Sequence, residues 1–276
     1  MTDPATRYLD LLKSVLLNMT GLEAELRIAT LAQCAAAGAT PDPLLLRDIR
    51  IAQADRFEAL AARRHEGRHI RADHAGMTAA YTMAGRLRLD HLQTCLERVT
   101  VDNVPGDLLE AGIWRGGCGI FMRGFLAVHG ITDRLVWLAD SFTGVPPPSH
   151  PVDAGVTLSD QASLLAIARP LVEDAFRRFD LWDDRVRLVE GLFADTLPGL
   201  PVERLAVLRL DGDLFTSTRD ALQALYDRVM PGGYIIIDDY HALDSCRFAT
   251  DAFRLVRGIT DPLERVDWTC VAWRKS

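Results

Sequence analysis

Four acidic residues fall in two short stretches of the chain, "LDGDL" with Asp211 and Asp213, and "IIIDDY" with Asp238 and Asp239. Adjacent carboxylates repel one another and stay ionised together only with water, basic partners or a cation at hand. Each stretch follows an apolar run, so the acids emerge where a buried strand ends. In an extended segment Asp211 and Asp213 share a face, and Asp211, Asp238 and Asp239 converge if the two strands are neighbours, as sequential strands usually are. An all-oxygen set suits a hard ion, most simply magnesium, with positions left open for water or substrate oxygens. The plain alternative is that these acids cap the following helices or face solvent.

Other strand ends carry chemistry of a different kind. "DLLEAGIWRGGCG" sets Glu110 ahead of a turn with Gly112, Gly116, Gly117 and Gly119, and glycine lets a backbone approach a ligand closely. The turn is not G-x-G-x-x-G, because Trp114 stands two residues after Gly112, and Arg115 suits a carboxylate better than a pyrophosphate. That disfavours a nicotinamide cofactor. A second strand ends at Asp140, where an acid accepts hydrogen bonds from ribose hydroxyls. A third ends at Glu190 and Gly191, close to Asp195, which reads equally well as a helix cap.

The elements that position these residues follow from the hydrophobic pattern. From about Val104 onward short apolar strands alternate with helices, which calls for a parallel α/β sheet. Strands are expected at "DLLEAGIW", "RLVWLADSF", "RVRLVEGLF", "RLAVLRLDGDLF" and "GGYIIIDDY", with one or two closing strands in "LERVDWTCVAWRKS". Ile235 to Ile237 read as a strand buried on both faces. Residues 1–100 carry apolar residues at mixed three and four spacing, so a helical region precedes a core at 101–276. The link Arg63 to Met77, "RRHEGRHIRADHAGM", reads as a loop, either a solvated linker or a lid, whose His65, His69 and His74 lack an orienting period for a metal. "TGVPPPSHPVDAGVTLSD" is too long for an idle connection. Trp114, Trp137 and Trp182 read as core or rim aromatics.

With 276 residues, 49% apolar and 25% charged, the composition is that of a soluble globular protein. The net charge of -7 leaves no basic surplus for nucleic acid. Five scattered cysteines without a C-x-x-C spacing disfavour a disulfide framework and a thiolate zinc site. The N-terminus lacks a basic region before an apolar run, and no segment reaches about 18 uncharged apolar residues. A cytoplasmic protein without a membrane partner is expected.

As a set, "GDLLEAGIWRGG", "LADSFTGVPPP", "LRLDGDLFTST", "PGGYIIIDDY" and the upstream "YTMAGRLRLDHLQ" resemble the macrocin O-methyltransferase family of antibiotic-sugar methyltransferases, from about Met77 onward. Tyr81 departs from the pattern, standing where the family often has His. The resemblance implies a Rossmann-like class I methyltransferase fold, S-adenosylmethionine as methyl donor and a magnesium-like ion on Asp211, Asp238 and Asp239. It also implies O-methylation of a deoxysugar hydroxyl on a small-molecule substrate, either a natural-product glycoside or a nucleotide-linked deoxysugar, by a homodimer or higher oligomer. Donor contacts would come from Glu110, Ala111, Gly112, Arg115, Gly116 and Gly117, from Asp140 and Ser141, from Glu190 and Gly191, and from Asp211. Asp211 is expected to take the hydroxyl proton, with Asp213 or His241 as alternatives. The N-terminal region and the Arg63 to Met77 link are expected to contact the acceptor or close over it. A catechol-type metal-dependent methyltransferase would share fold, donor and metal. A D-x-D glycosyltransferase would need its metal and basic residues turned toward phosphates, which Glu110 and Asp140 disfavour. A non-catalytic S-adenosylmethionine binder would have little use for the acids.

Overall fold

The first helix, Pro4–Leu16, starts where its sequence says it should: Asp3 accepts a hydrogen bond from the Thr6 amide at 3.2 Å, and Pro4 fills the first helical position. The computed structural model describes residues 3–68 and 78–276, so His69 and His74 of the basic link lie outside the described residues. The chain divides into two compact units, Met1–Leu87 and Arg88–Ser276. This division falls earlier than the boundary expected near residue 100, because the helix Arg86–Val101 gives most of its length to the second unit.

In the first unit the described residues form helices and no strand, with Leu22–Ala36 and Ala54–Glu66 as the other long helices. Arg63, Arg64 and His65 continue the Ala54–Glu66 helix, which Gly67 closes at φ 69°. The start of the expected loop is therefore helical, as "EALAARRHE" is built from good helix formers. Arg64 is buried and ion-paired with Glu25, whose Oε1 also accepts from the Ala79 amide at 2.9 Å.

The second unit is built on a seven-stranded sheet in the order β3-β2-β1-β4-β5-β7-β6, with β1 at Asp107–Ala111, β2 at Val136–Asp140, β3 at Val186–Glu190, β4 at Leu205–Leu210, β5 at Val229–Ile237, β6 at Glu264–Arg265 and β7 at Val271–Arg274. The first five strands are parallel; β7 pairs antiparallel with β5 and β6. Helices such as Gly117–Val128 and Phe215–Leu225 provide the crossovers. Ile235, Ile236 and Ile237 are all buried, as a strand covered on both faces requires. Trp137 packs in the core and donates from Nε1 to Asp107 Oδ2 at 2.8 Å.

The long connection after β2 is pinned to its surroundings. Asp153 is fully buried, and its Oδ1 accepts from the Phe215 amide at 2.9 Å, capping the Phe215–Leu225 helix from outside its own segment. The His150 ring stacks on Phe215 at 4.2 Å, and Ser245 Oγ donates to the Val152 carbonyl at 3.4 Å. At its far end the Leu164 carbonyl accepts from Trp114 Nε1 at 3.2 Å. The connection thus spans from the turn after β1 to the helix after β4.

Candidate active site at the carboxyl ends of the strands

The strand order reverses between β1 and β4, and open parallel sheets bind ligands in the crevice at such a reversal. Ala111 is the register partner of Leu210, and Leu210 of Ile237, so the three strands end level with one another. Immediately beyond them lie Gly112, Asp211 and Asp238. Gly112 takes φ 86°, and a Cβ there would overlap the carbonyl oxygen of Asp211. The sequence suggested glycines that admit a ligand; Gly112 makes room for the carbonyl of Asp211, just past β4. Gly116, at φ 81°, likewise leaves room for Val172, 3.0 Å from where its Cβ would stand.

Trp114, Phe142 and Asp213 also adopt left-handed backbones, at φ 47°, 56° and 59°, each just past the end of β1, β2 or β4. Such conformations cost a side-chain-bearing residue about 1–2 kcal/mol and gather where tight ligand-binding turns are needed. For Asp213 the turn also means that the D-x-D segment is not extended, as the shared-face expectation had assumed.

Asp140 organises the turns after β1 and β2. Its Oδ2 accepts from the Ile113 amide at 2.9 Å and its Oδ1 from the Phe142 amide at 2.8 Å, so it ties the β1 turn to the β2 turn. Burial raises its carboxyl above the ordinary value while these amides pull it back. A carboxylate with about four lone-pair sites can still accept from a ligand. Ser141 Oγ is used locally, donating to the Gly144 carbonyl at 2.7 Å. Glu190 is the register partner of Asp140 and lies exposed, 3.5 Å from Arg169; the Gly191 amide donates to the Asp140 carbonyl at 2.9 Å. The Arg115 guanidinium sits over the Trp114 ring at 4.3 Å. The Gly117–Val128 helix begins with no side-chain cap, which suits a ligand carboxylate. Glu110 is the penultimate residue of β1, two positions ahead of Gly112. It is buried and accepts from Arg209 Nη1 at 2.6 Å, and burial pushes its carboxyl up to about 8 against the pull of Arg209.

On the other side, Asp211, Asp213 and Asp239 each bring one carboxylate oxygen within 4.8 Å of the others. This is the one such acidic group among the described residues. The sequence grouped Asp238 with Asp211 and Asp239; in the structure Asp213 is the third acid within this distance. Asp239 joins the cluster, while Asp238 accepts from Arg209 Nη2 and from Arg88 Nη1. Burial and the surrounding carboxylates push Asp213 and Asp239 well above the ordinary carboxylate range. Asp239 Oδ2 is buried without a hydrogen-bond partner among the described residues. Crowded carboxyl groups with an unmet buried oxygen fit a hard cation. His241 is exposed and lies edge-on to Tyr240 at 4.9 Å, outside the acidic cluster.

Sequence reasoning missed Arg209 and Arg88. The signal was present, because an arginine inside the apolar run "LAVLRL" has to find acids when buried. Arg88 donates from Nε to Asp267 Oδ2 at 2.7 Å as well as to Asp238.

Residues 5–275 match the family model for macrocin O-methyltransferase (TylF). A 4'-O-methyltransferase of Streptomyces olivaceus, acting on 8-demethyl-8-(2,3-dimethoxy-alpha-L-rhamnosyl)-tetracenomycin C, is 52% identical over 200 residues, which is 71% of this chain and 76% of that protein. The mycinamicin III 3''-O-methyltransferase of Micromonospora griseorubida is 46% identical over 72% of this chain and 80% of its own. The structure of the O-methyltransferase NovP superposes with a TM-score of 0.80 at 37% identity, covering 99% of each chain. No helix among the described residues is long and apolar enough to cross a membrane.

Proposed function

Because the chain belongs to the macrocin O-methyltransferase family, we propose that it moves the methyl group of S-adenosylmethionine onto a sugar hydroxyl of a natural-product glycoside, with the help of a divalent cation. The observation that carries this reading is the contact at Gly112: the turn suited to the donor and the strand end bearing Asp211 meet backbone to backbone. Donor and cation would therefore share one crevice. The relatives that act on rhamnosyl tetracenomycin C and on mycinamicin III support a sugar acceptor.

Asp211, Asp213 and Asp239 would hold the cation, most simply magnesium. When bound, it supplies Lewis acidity to the acceptor hydroxyl. The uncapped start of the Gly117–Val128 helix and Arg115 would receive the donor's amino-acid carboxylate, and Asp140 its ribose, with Glu190 and Gly191 beside it. Asp213 is the proton acceptor in this reading. Asp211 accepts a hydrogen bond from Arg209 at 3.0 Å, so one of its oxygens is already engaged. The pinned connection through Asp153 and Leu164 would hold both reactants in line, and alignment of this kind accounts for much of a displacement's acceleration.

Methyl transfer from S-adenosylmethionine to a panel of deoxysugar glycosides is expected to stop in excess chelator and to return with magnesium. Full turnover by metal-stripped protein would remove the cation from the reading. Donor binding without transfer to any sugar hydroxyl would remove the sugar. In calorimetry, Asp140→Ala is expected to weaken donor binding by about tenfold, ~1.4 kcal/mol, through loss of both turn amides and the ribose contact. An unchanged affinity would take Asp140 out of the donor site.

A further inference from the structure

Arg209 is an arginine in a strand whose other five residues, in "LAVLRL", are all apolar, and it is 3% exposed. Its Nη1 donates to Glu110 Oε1 at 2.6 Å and to Asp211 Oδ2 at 3.0 Å, and its Nη2 donates to Asp238 Oδ1. One planar fork therefore holds carboxylates from the ends of β1, β4 and β5. Glu110 lies two residues before Gly112 of the donor turn, and Asp211 belongs to the acidic cluster. Asp238 is in turn held by Arg88.

Resting on the reading of these two places as donor and cation sites, we infer that Arg209 is a positioning residue that couples donor binding to cation binding. The fork bonds to both sites at once. With Asp211 Oδ2 held by Nη1, the carboxylate would keep its other oxygen for a cation, and Arg209, anchored in turn on Glu110 ahead of the donor turn, would set the direction in which that oxygen points. Donor binding, by locking that end of β1, fixes Arg209 and with it the side chain of Asp211. Linkage makes the effect reciprocal: each ligand tightens the other by the same factor. Lysine would keep the charge and lose the fork, since an ammonium cannot hold three carboxylates in one plane.

The test uses Mn2+ as the cation probe, read by electron paramagnetic resonance, and S-adenosylhomocysteine as the donor probe, whose neutral sulfur adds no repulsion. In the wild-type protein, saturating S-adenosylhomocysteine is expected to tighten Mn2+ binding by about fivefold or more. Arg209→Lys is expected to weaken Mn2+ binding by about tenfold and to reduce the coupling to about one. Glu110→Gln keeps an acceptor for Arg209 without the charge, and is expected to leave Mn2+ affinity within about threefold while abolishing the coupling. Leu96→Ala, a cavity elsewhere in the core, should keep both Mn2+ affinity and coupling, separating positioning from general loosening. If Arg209→Lys does not fold, Glu110→Gln decides. Coupling retained in either folded variant, or absent from the wild type, overturns the inference alone. A wild-type protein that binds no Mn2+ overturns the cation reading and the inference with it.

Discussion

Asp213→Asn is expected to lower turnover by about 10²–10⁴-fold, the usual worth of a positioned general base. The amide keeps the shape and one oxygen of the carboxylate, so it can remain in the cluster with Asp211 and Asp239, but it cannot take a proton. Donor affinity should change little, because Asp140 and the turn after β1 are organised by hydrogen bonds that do not involve Asp213. The variant is therefore to be assayed at saturating magnesium, with cation affinity measured separately. A drop in kcat that persists at saturation identifies a proton acceptor; a drop that more magnesium repairs identifies only a ligand. Asp211→Asn provides the contrast. Its partner Arg209 stays in place, so the expected loss lies mainly in cation affinity. Equal turnover for Asp213→Asn and wild type would return the base to Asp211.

Arg88→Met is expected to cost about 3–5 kcal/mol of unfolding free energy, the range found when one member of a buried ion pair is removed. Arg88 is 7% exposed and serves two carboxylates, Asp238 and Asp267. Methionine fills a similar volume, so the loss reports uncompensated charge more than a cavity. Asp238 keeps Arg209, and Asp267 keeps the amides of Thr269 and Cys270 at 2.9 and 2.8 Å. The double variant R88M/D267N should therefore recover part of the loss. Acid titration gives a second readout. Although burial raises the Asp267 carboxyl, Arg88 and these amides outweigh it and hold the group below its ordinary 3.8. A depressed carboxyl contributes stability that is complete above the unfolded value and is lost as pH falls through the folded one. Removing Arg88 brings the two values together, so the acid arm of the stability curve should flatten. A denaturant midpoint within error of wild type would mean that Arg88 is expendable.

Much of the scaffold was legible because buried parallel strands are continuous apolar runs closed by glycine, proline or acids. The expected segments "DLLEAGIW", "RLVWLADSF" and "GGYIIIDDY" each overlap an observed strand, which stops at Ala111, Asp140 and Ile237. The placement of acids at the strand ends followed directly. The face each acid points to did not. Whether Asp238 or Asp213 joins Asp211 and Asp239 depends on Arg88, 150 positions away along the chain, and on Arg209, 29 positions away. Pattern reading over a window of a dozen residues contains neither partner.

The turn after β1 makes the same division visible in the backbone. Its glycines announced a turn, and Trp114 argued against a dinucleotide fingerprint. Yet Trp114 adopts the left-handed conformation that a glycine would have taken more cheaply, with its indole held by the Leu164 carbonyl. A local preference of about 1–2 kcal/mol yields when a buried ring and a distant carbonyl oppose it. The sequence by itself determined which segments are buried strands and that acids, glycines and a basic residue sit at their ends, because these follow from local burial and chain geometry. Only the tertiary structure decided which carboxylates meet one another and which meet arginine, because a buried charge is settled by whichever partner the fold brings within hydrogen-bond reach, however far off in the chain.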